Sequence, residues 1–470
     1  MLEIERKFAA TPDTPLPPLS VARYGPSETF GMRAVYFDTP DFVLSRTGVA
    51  AVRQRAGGAD QGWHVKLSLS PEHRQELHAP LEQAFLPGRL RESLSDVIGT
   101  QPLVPLVVVS TRRTETKLLA GDGTELGVLC RDVVHTDARG HEQSWAEWEV
   151  ETVHGDEAWL DTVTEQFAAA GVERAEHSSK FVKAVGPLLA LPEPRGAAAV
   201  VMRYAALQVG TIQAHADAVV ADGPDAVHKT RVATRRLRSA LRTFRPVFGD
   251  LNRLRRGLGG YATALGAARD TEVLREVIES LLDRVGDAAD PATASRILSA
   301  LDDDHSASHA GLVAEMRKRK YSALRVGLED FVAIPPLVSD TLPTAVLGEM
   351  VAVAEHKTLA AAEIAVALDT PEAWHRVRKL AKAARYCNEA IAGDDAAIAR
   401  RAERWEAVTE ALGAAQDADI ATQRLHALAA DWSIDPAEDV TMRALIAQAA
   451  SDHEDAVAQA RHALNEVRRS

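Results

Sequence analysis

Carboxylates and basic side chains recur at every second residue in several separated segments of this chain. In Leu2-Glu3-Ile4-Glu5-Arg6-Lys7-Phe8 a strand places Glu3, Glu5 and Lys7 on one face and Leu2, Ile4 and Phe8 on the other. The same alternation groups Arg53 with Arg55, His64 with Lys66, Arg74 with Glu76 and His78, and Glu147 with Glu149 and Glu151. Arg112 and Arg113 begin another such segment, Arg131 and Asp132 end one, and Lys180 follows Ser179. An interior with charges of both signs is costly unless it holds something that pairs with both. A phosphate chain with a divalent cation meets that need, because arginine and lysine bind phosphate oxygens while clustered carboxylates hold Mg2+ or Mn2+. Taken singly, His64, His78 and Arg74 are expected on a solvated face. The repetition is what points the whole set inward.

The segments that must position these residues are short and alternating, separated by Gly, Pro and Asp: Ala34 to Phe37, Val49 to Arg55, Trp63 to Leu69, Val107 to Lys117, Glu125 to Val133 and Ser144 to Val153. They read as strands of an antiparallel sheet or barrel. Between Gly186 and Gly196, three prolines and a lack of periodicity suit a linker. Beyond it Ala, Leu, Arg and Glu recur with helical period to Ser470, with breaks near Asp222-Gly223-Pro224, Asp290-Pro291, Ile334-Pro335-Pro336 and Asp369-Thr370-Pro371. The expected fold class is α+β with two domains. Residues 1–186 form an antiparallel β-barrel tunnel with flanking helices, 187–196 a linker, and 197–470 an all-α double helical bundle.

The helical half repeats internally. At a constant offset of 147, His228, Arg231, Arg235 and Arg238 match His375, Arg378, Lys382 and Arg385. The register continues without a gap to Leu265-Gly266-Ala267-Ala268-Arg269-Asp270 against Leu412-Gly413-Ala414-Ala415-Gln416-Asp417. Two related bundles, about 197–335 and 336–470, facing each other about a pseudo-twofold axis, are the simplest interpretation. On a helix, His228, Arg231, Arg235, Arg238 and Arg242 fall within roughly 80° of arc, nearly opposite Leu237, Leu241 and Phe244. Lys379 and Tyr386 accompany the second stripe. Solvated helix faces ordinarily mix signs, whereas these two are almost wholly positive in a protein of net charge -13. They read as a surface for a polyanion, which Lys318, Lys320 and Arg325 extend, with Asp270 and Asp417 orienting the basic residues.

A length of 470 residues exceeds what one core organises, and 46% hydrophobic residues suffice for two. No run of about 18 uncharged apolar residues occurs, and the N-terminus opens on charges instead of a basic stretch followed by an apolar one. Cys130 and Cys387 have no metal-ligand spacing. The negative net charge argues against nucleic acid or anionic membrane as partners. The expected location is cytoplasmic.

At this point residues 1 to about 185 resemble the CYTH domains, or triphosphate tunnel metalloenzymes. The resemblance rests on Glu3, Glu5 and Lys7; on VYFDTPDFVLSRTGVAAVRQR, with Asp38-Thr39, Gly48, Arg53 and Arg55; and on Lys66, Arg112-Arg113, Asp132, Glu147, Glu149, Glu151 and Ser179-Lys180. It implies a tunnel of eight antiparallel strands that hydrolyses or rearranges a triphosphate with a divalent metal, Mg2+ or Mn2+. Lys7, Arg53, Arg55, Lys66, Arg112, Arg113 and Lys180 are implied phosphate-binding and catalytic residues, although Arg113, alternating with Arg112, is expected to face outward on a regular strand. Glu3, Glu5, Glu76, Asp132, Glu147, Glu149 and Glu151 are implied metal ligands, Glu5 and Glu149 foremost because they lie mid-strand. The strand at Glu76 departs from the pattern by carrying one acidic residue, with His78 at the next inward position, and Trp148 interrupts the usual aliphatic spacing of the acidic strand.

Residues 197 to 470 resemble the CHAD domain through VHKTRVATRRLRSAL and WHRVRKLAKAARY. That resemblance implies binding of inorganic polyphosphate by His228, Arg231, Arg235, Arg238, Arg242, Lys320, His375, Arg378, Lys379, Lys382, Arg385 and Tyr386. The expected function is a metal-dependent inorganic triphosphatase with a polyphosphate-binding module, located in the cytoplasm and at polyphosphate granules. The alternatives are a non-catalytic granule-binding protein, an adenylate cyclase and an organic triphosphatase.

Overall fold

The computed structural model describes residues 2–48, 50–56, 61–68, 73–81, 85–175, 180–189, 195–339 and 342–469. The side chains of Leu2, Glu3, Ser68, His73 and Arg74 lie outside the description, so the expectations for Glu3 and Arg74 do too. The chain divides into two compact units, Met1–Glu193 and Pro194–Ser470.

The first unit contains strands β1 (Leu2–Ala10), β2 (Arg23–Asp38), β3 (Ala50–Ala56), β4 (Gly62–Ser68), β5 (His73–Ala79), β6 (Val104–Leu119), β7 (Glu125–Ala138) and β8 (His141–Thr152). Its helices are α1 (Val43–Thr47), α2 (Gly88–Glu92), α3 (Ser95–Ile98), α4 (Glu157–Ala169) and α5 (Lys180–Leu189). All pairings are antiparallel, and the order of neighbours is β1-β5-β4-β3-β2-β6-β7-β8, returning to β1. The return is made by a divided strand. Leu2 to Ile4 pair with β5, whereas Glu5 to Ala10 pair with β8. The eight-stranded antiparallel sheet is as expected.

The apolar residues cover the outside of this sheet. Leu44, Val52, Trp63, Val65, Leu90, Leu94 and Ile98 form one core under α1 to α3. Phe8, Leu118, Leu129, Trp148, Val150, Leu160, Val163 and Phe167 form another under α4. Trp148 thus packs outward, and its size fits the α4 interface. Alternation then turns the charged partners of these residues inward. Helix α5 lies against that inward face: Phe181 stacks on Tyr36 with ring centroids 5.0 Å apart, and Tyr36 pairs across the sheet with Arg53. It continues through Pro187 to Leu189, so the stretch expected as linker is helical at its start. Burial of Ala184, Val185 and Leu188 on one side of α5 outweighs the lost proline donor near its C-terminus.

The second unit is all helical: α6 (Gly196–Ala214), α7 (Ala216–Val220), α8 (Ala226–Thr243), α9 (Asn252–Val285), α10 (Pro291–Met316), α11 (Arg319–Ala333), α12 (Ala345–Leu368), α13 (Pro371–Ala392), α14 (Ala396–Asp431) and α15 (Val440–Arg468). The offset of 147 carries α6, α8, α9 and α10 onto α12, α13, α14 and α15. Expected breaks are found where local chemistry supplies caps, as at Asp290, whose side chain accepts from the Thr293 amide, and at Thr370, which accepts from Ala373. The break between α14 and α15, at Asp435-Pro436 and capped by the Asp439 side chain, which accepts from the Met442 amide, is not among those expected. No helix among the described residues is long and apolar enough to cross a membrane.

Asp38, fully buried at the end of β2, anchors the turn that leads into β3. Its carboxylate accepts from the amides of Thr39 (2.7 Å), Leu44 (2.8 Å) and Ser45 (2.7 Å) and from the Ser45 hydroxyl (2.5 Å). Burial pushes this carboxyl upward, and the four donors pull against that. Asp38→Ala strands those donors and is expected to cost about 3 kcal/mol, read as a lower urea midpoint with an unchanged m-value.

Candidate functional site

Strand register assembles the charged face in rows. Arg113 pairs with Asp132 and Asp132 with Glu147; Cys130 pairs with Glu149 and Glu149 with Lys7; Glu151 pairs with Glu5. Paired residues share a face, so β1, β6, β7 and β8 present one continuous acidic wall threaded by cations. Arg113 donates to Asp132 through Nε (2.9 Å) and Nη2 (2.8 Å), reaches Glu151 at 3.4 Å and bonds Glu149. Lys7 bonds Glu149 and lies 3.5 Å from Glu5. Lys180, at the first residue of α5, contacts Asp132 (2.9 Å), Glu147 (2.7 Å) and Glu149 (2.7 Å). No strand supplies this lysine.

Arg112, expected to bind phosphate, is exposed and faces away, while Arg113 takes the inward position. The sequence Val107-Val108-Val109 leaves both faces of β6 apolar, so composition does not reveal the phase of the alternation. Only pairing with β7 does. His64 also differs from expectation. It is buried and bonds Glu76 Oε1 through Nδ1 at 2.7 Å, whereas His78 is exposed. Glu76 further meets Arg53 (3.3 Å) and Lys66 (3.2 Å), and Arg55 lies against Met32 Sδ at 2.8 Å. This second wall, on β3 to β5, is predominantly basic. Glu76 serves as its counter-ion and stands apart from the acidic clusters.

Burial alone would raise the Glu149 carboxyl, but Lys180, Lys7 and Arg113 hold it well below the usual carboxylate range. Burial likewise opposes the charge on Lys180, and Glu149, Asp132 and Glu147 raise its pKa. Burial and neighbouring carboxylates push the Cys130 thiol up, so it is a poor nucleophile. Glu5, Glu149 and Glu151 each bring a ligand atom within 4.8 Å of the others, and Asp132, Glu147 and Glu149 do the same. These all-carboxylate sets suit an oxygen-seeking divalent cation, and Glu149 belongs to both.

In the second unit, α8 and α13 turn their stripes toward one groove, with Leu237, Leu241 and Phe244 fully buried behind the first. Arg231, Arg235, His375, Arg378, Lys379 and Lys382 line a cavity of about 240 Å3 together with Asp270 and Asp417. Arg238, Arg242 and Tyr386 line an adjoining one of about 580 Å3, joined by Arg255 and Arg256 of α9. Arg231 bonds Asp270 at 2.9 Å, as expected, whereas Arg378 bonds Gln416, the residue before the expected Asp417. A Cβ at Gly413 would lie 3.2 Å from Arg378 Nη2, tighter than ordinary contact, whereas one at the matching Gly266 would lie 4.0 Å from Arg231 and meet no clash.

Arg385 is instead engaged by Glu389 (2.8 Å) and Glu406, and Lys320 by Glu315; neither lines the two cavities. His228 does not line them either; burial and Arg269 lower its pKa. Arg236, absent from the stripe, joins the repeats by bonding Glu389 at 2.7 Å, where Tyr204 also donates at 3.2 Å. Arg255 and Arg256 escaped the sequence reading because adjacent helical residues form no stripe. Burial and the neighbouring Arg378, Arg235 and Arg231 push the Lys382 ammonium down to about 6.

Comparisons agree with the two units. Residues 1–184 match the CYTH domain and residues 203–426 the CHAD domain. An uncharacterised protein from two strains of Mycobacterium tuberculosis is 31% identical over 498 residues, covering 99% of this chain and 89% of its own length. The CHAD domain of the plant Ricinus communis is 26% identical over 59% of this chain and 94% of that one, with a TM-score of 0.48. The PH1819 protein of Pyrococcus horikoshii is 16% identical over 38% of this chain and 97% of that one, with a TM-score of 0.24. The fold and its charged interior define a triphosphate tunnel metalloenzyme-like domain joined to a helical one. The chain belongs to the proteins that fuse an N-terminal CYTH domain to a C-terminal CHAD domain.

Two outcomes follow from this geometry. Arg113→Ala leaves Asp132 and Glu149 short of a cation and is expected to lower stability by about 3 kcal/mol, whereas Arg112→Ala leaves the urea midpoint unchanged. An anion in the groove raises the Lys382 pKa from about 6, so the complex holds more protons than the free protein. Its affinity is therefore flat below about pH 6 and falls as pH rises toward the bound-state pKa. Calorimetry of anion binding in buffers of different ionisation enthalpy reads this as proton uptake.

Proposed function

We propose that the first unit hydrolyses inorganic triphosphate with Mg2+ or Mn2+ and that the second unit binds inorganic polyphosphate. The observation that carries this reading is the interior of the sheet, where Glu5, Glu76, Asp132, Glu147, Glu149 and Glu151 face Lys7, Arg53, Arg55, Lys66, Arg113 and Lys180. Each cation of the acidic wall contacts more than one carboxylate. A triphosphate competes for Lys7, Arg113 and Lys180, and the carboxylates so released become free for cation binding.

A divalent cation bound there supplies charge neutralisation and a water of lowered pKa. Glu5, Glu149 and Glu151 would hold it on one side of the wall, and Asp132, Glu147 and Glu149 on the other. Arg53, Arg55 and Lys66 bind the phosphate chain, with Glu76 and His64 fixing Arg53 and Lys66 in place. Lys7, Arg113 and Lys180 stabilise the charge that develops on the transferred group. The second unit holds polymer and localises the enzyme to it.

The test is turnover by the purified full chain, with Mg2+ or Mn2+, of tripolyphosphate, ATP, thiamine triphosphate and long polyphosphate, with phosphate, pyrophosphate and cyclic AMP quantified. Tripolyphosphate is expected to be hydrolysed, and Glu149→Gln to lower kcat by roughly 100-fold or more while sparing polymer binding. Arg235→Glu with Lys382→Glu should weaken long-chain binding and spare hydrolysis. Silence on every substrate would refute the enzyme reading, and cyclic AMP from ATP would replace it with a cyclase.

A further inference from the structure

The internal repeat makes the basic groove symmetric at its centre and unequal at its ends. Around the centre, Arg231 with Asp270 and Arg378 with Asp417 occupy matching positions, and all four line the cavity of about 240 Å3. Outward along the first repeat, Arg238, Arg242, Arg255 and Arg256 line the adjoining cavity, which shares Arg235, Lys379 and Lys382 with the centre. The matching positions of the second repeat hold Arg385, Glu389, Ala402 and Glu403. There Glu389 takes both Arg385 and Arg236, and Glu406 takes Arg385 again. Among the described residues, by contrast, Arg235, Arg238, Arg242, Arg255, Arg256 and Lys382 form no ion pair. The cationic path leaves the centre in one direction only.

At the centre the path meets carboxylates. Asp270 and Asp417 stand there, and Val273, Leu274 and Ile420 follow within the next turn of α9 and α14. An internal phosphate of a linear polymer carries no proton near neutrality, so a carboxylate repels it. A terminal phosphate has a second ionisation near pH 6 and presents an O–H to a carboxylate while offering oxygens to arginine. Burial, opposed by Arg378 and Lys382 and reinforced by Asp270, leaves the Asp417 carboxyl raised, which suits a shared proton.

We propose that the groove is an end-binding site for linear polyphosphate. The chain lies along Arg255, Arg256, Arg242 and Arg238, and its terminal phosphate stops between Arg231 and Arg378 against Asp270 and Asp417. Arg255 and Arg256 thereby become binding residues of the path. From Arg255 to Asp270, α9 advances roughly 22 Å, so the groove takes a short stretch of the chain and leaves the rest outside. This rests on the polyphosphate reading of the second unit.

The experiment uses the full chain carrying Arg53→Ala and Lys66→Ala, so that the sheet interior contributes little, titrated with polyphosphate of two defined lengths in light-scattering and calorimetric measurements. Saturation at one protein molecule per polymer end, equal for both lengths, is expected. Converting the terminal phosphates to phosphomorpholidates, which carry neither O–H nor N–H, should weaken binding at least tenfold, as should Arg255→Glu with Arg256→Glu. Stoichiometry that grows with polymer length, or tight binding of end-blocked polymer, would overturn end recognition while leaving polyphosphate binding intact. Absence of binding to either polymer would overturn both.

Discussion

Glu149 sits almost wholly buried between Lys7, Arg113 and Lys180, and much of the first unit is arranged around that contact. A carboxylate out of water is unfavourable by several kcal/mol unless cations replace its hydration, and each cation so placed needs partners of its own. Asp132, Glu147, Glu5 and Glu151 fill that role, which forces β1, β6, β7, β8 and the start of α5 into one register. Most apolar residues, Tyr36 and Phe181 excepted, have no place inside such a sheet. They pack outward against α1 to α4, and the core forms around the sheet instead of within it.

The two units handle charge in opposite ways. Inside the sheet Lys7, Arg53, Lys66, Arg113 and Lys180 are each matched by carboxylates, so a ligand must displace existing contacts. In the helical groove the cations stand together, held by the packing of Leu237, Leu241 and Phe244 behind them, and burial together with their mutual repulsion depresses Lys382 and Arg238. A balanced interior favours selective exchange for a compact ligand with its own counter-ion. A row of unpaired cations favours a polyanion, with affinity that weakens as salt rises.

Much of this was legible from residue spacing. Period-two charge identified the inward sets on β1, β3 and β8, and period 3.6 with the offset of 147 identified α8, α13 and their groove. The reading failed where a local pattern fits two arrangements equally well. Arg112 and Arg113 are adjacent, the valines before them suit either face, and only hydrogen-bond register against β7 selects Arg113. His64 looked solvated because its partner, Glu76, lies on another strand. The engagement of Arg385 and Lys320 by glutamates likewise depends on neighbouring turns, beyond what the basic stripe itself records.

Glu3, Glu5 and Lys7, the triplet that starts the chain, mark the boundary between what each level determines. Side-chain period is a property of the backbone, so the sequence by itself determined which residues share a strand or helix face, where the halves divide and that the second half is duplicated. Which faces meet is a property of long-range pairing. Tertiary structure alone decided that Lys7 meets Glu149 and that α5 delivers Lys180 to the acidic wall. Those contacts join residues far apart in the chain, and their energies depend on burial and register that no short segment contains.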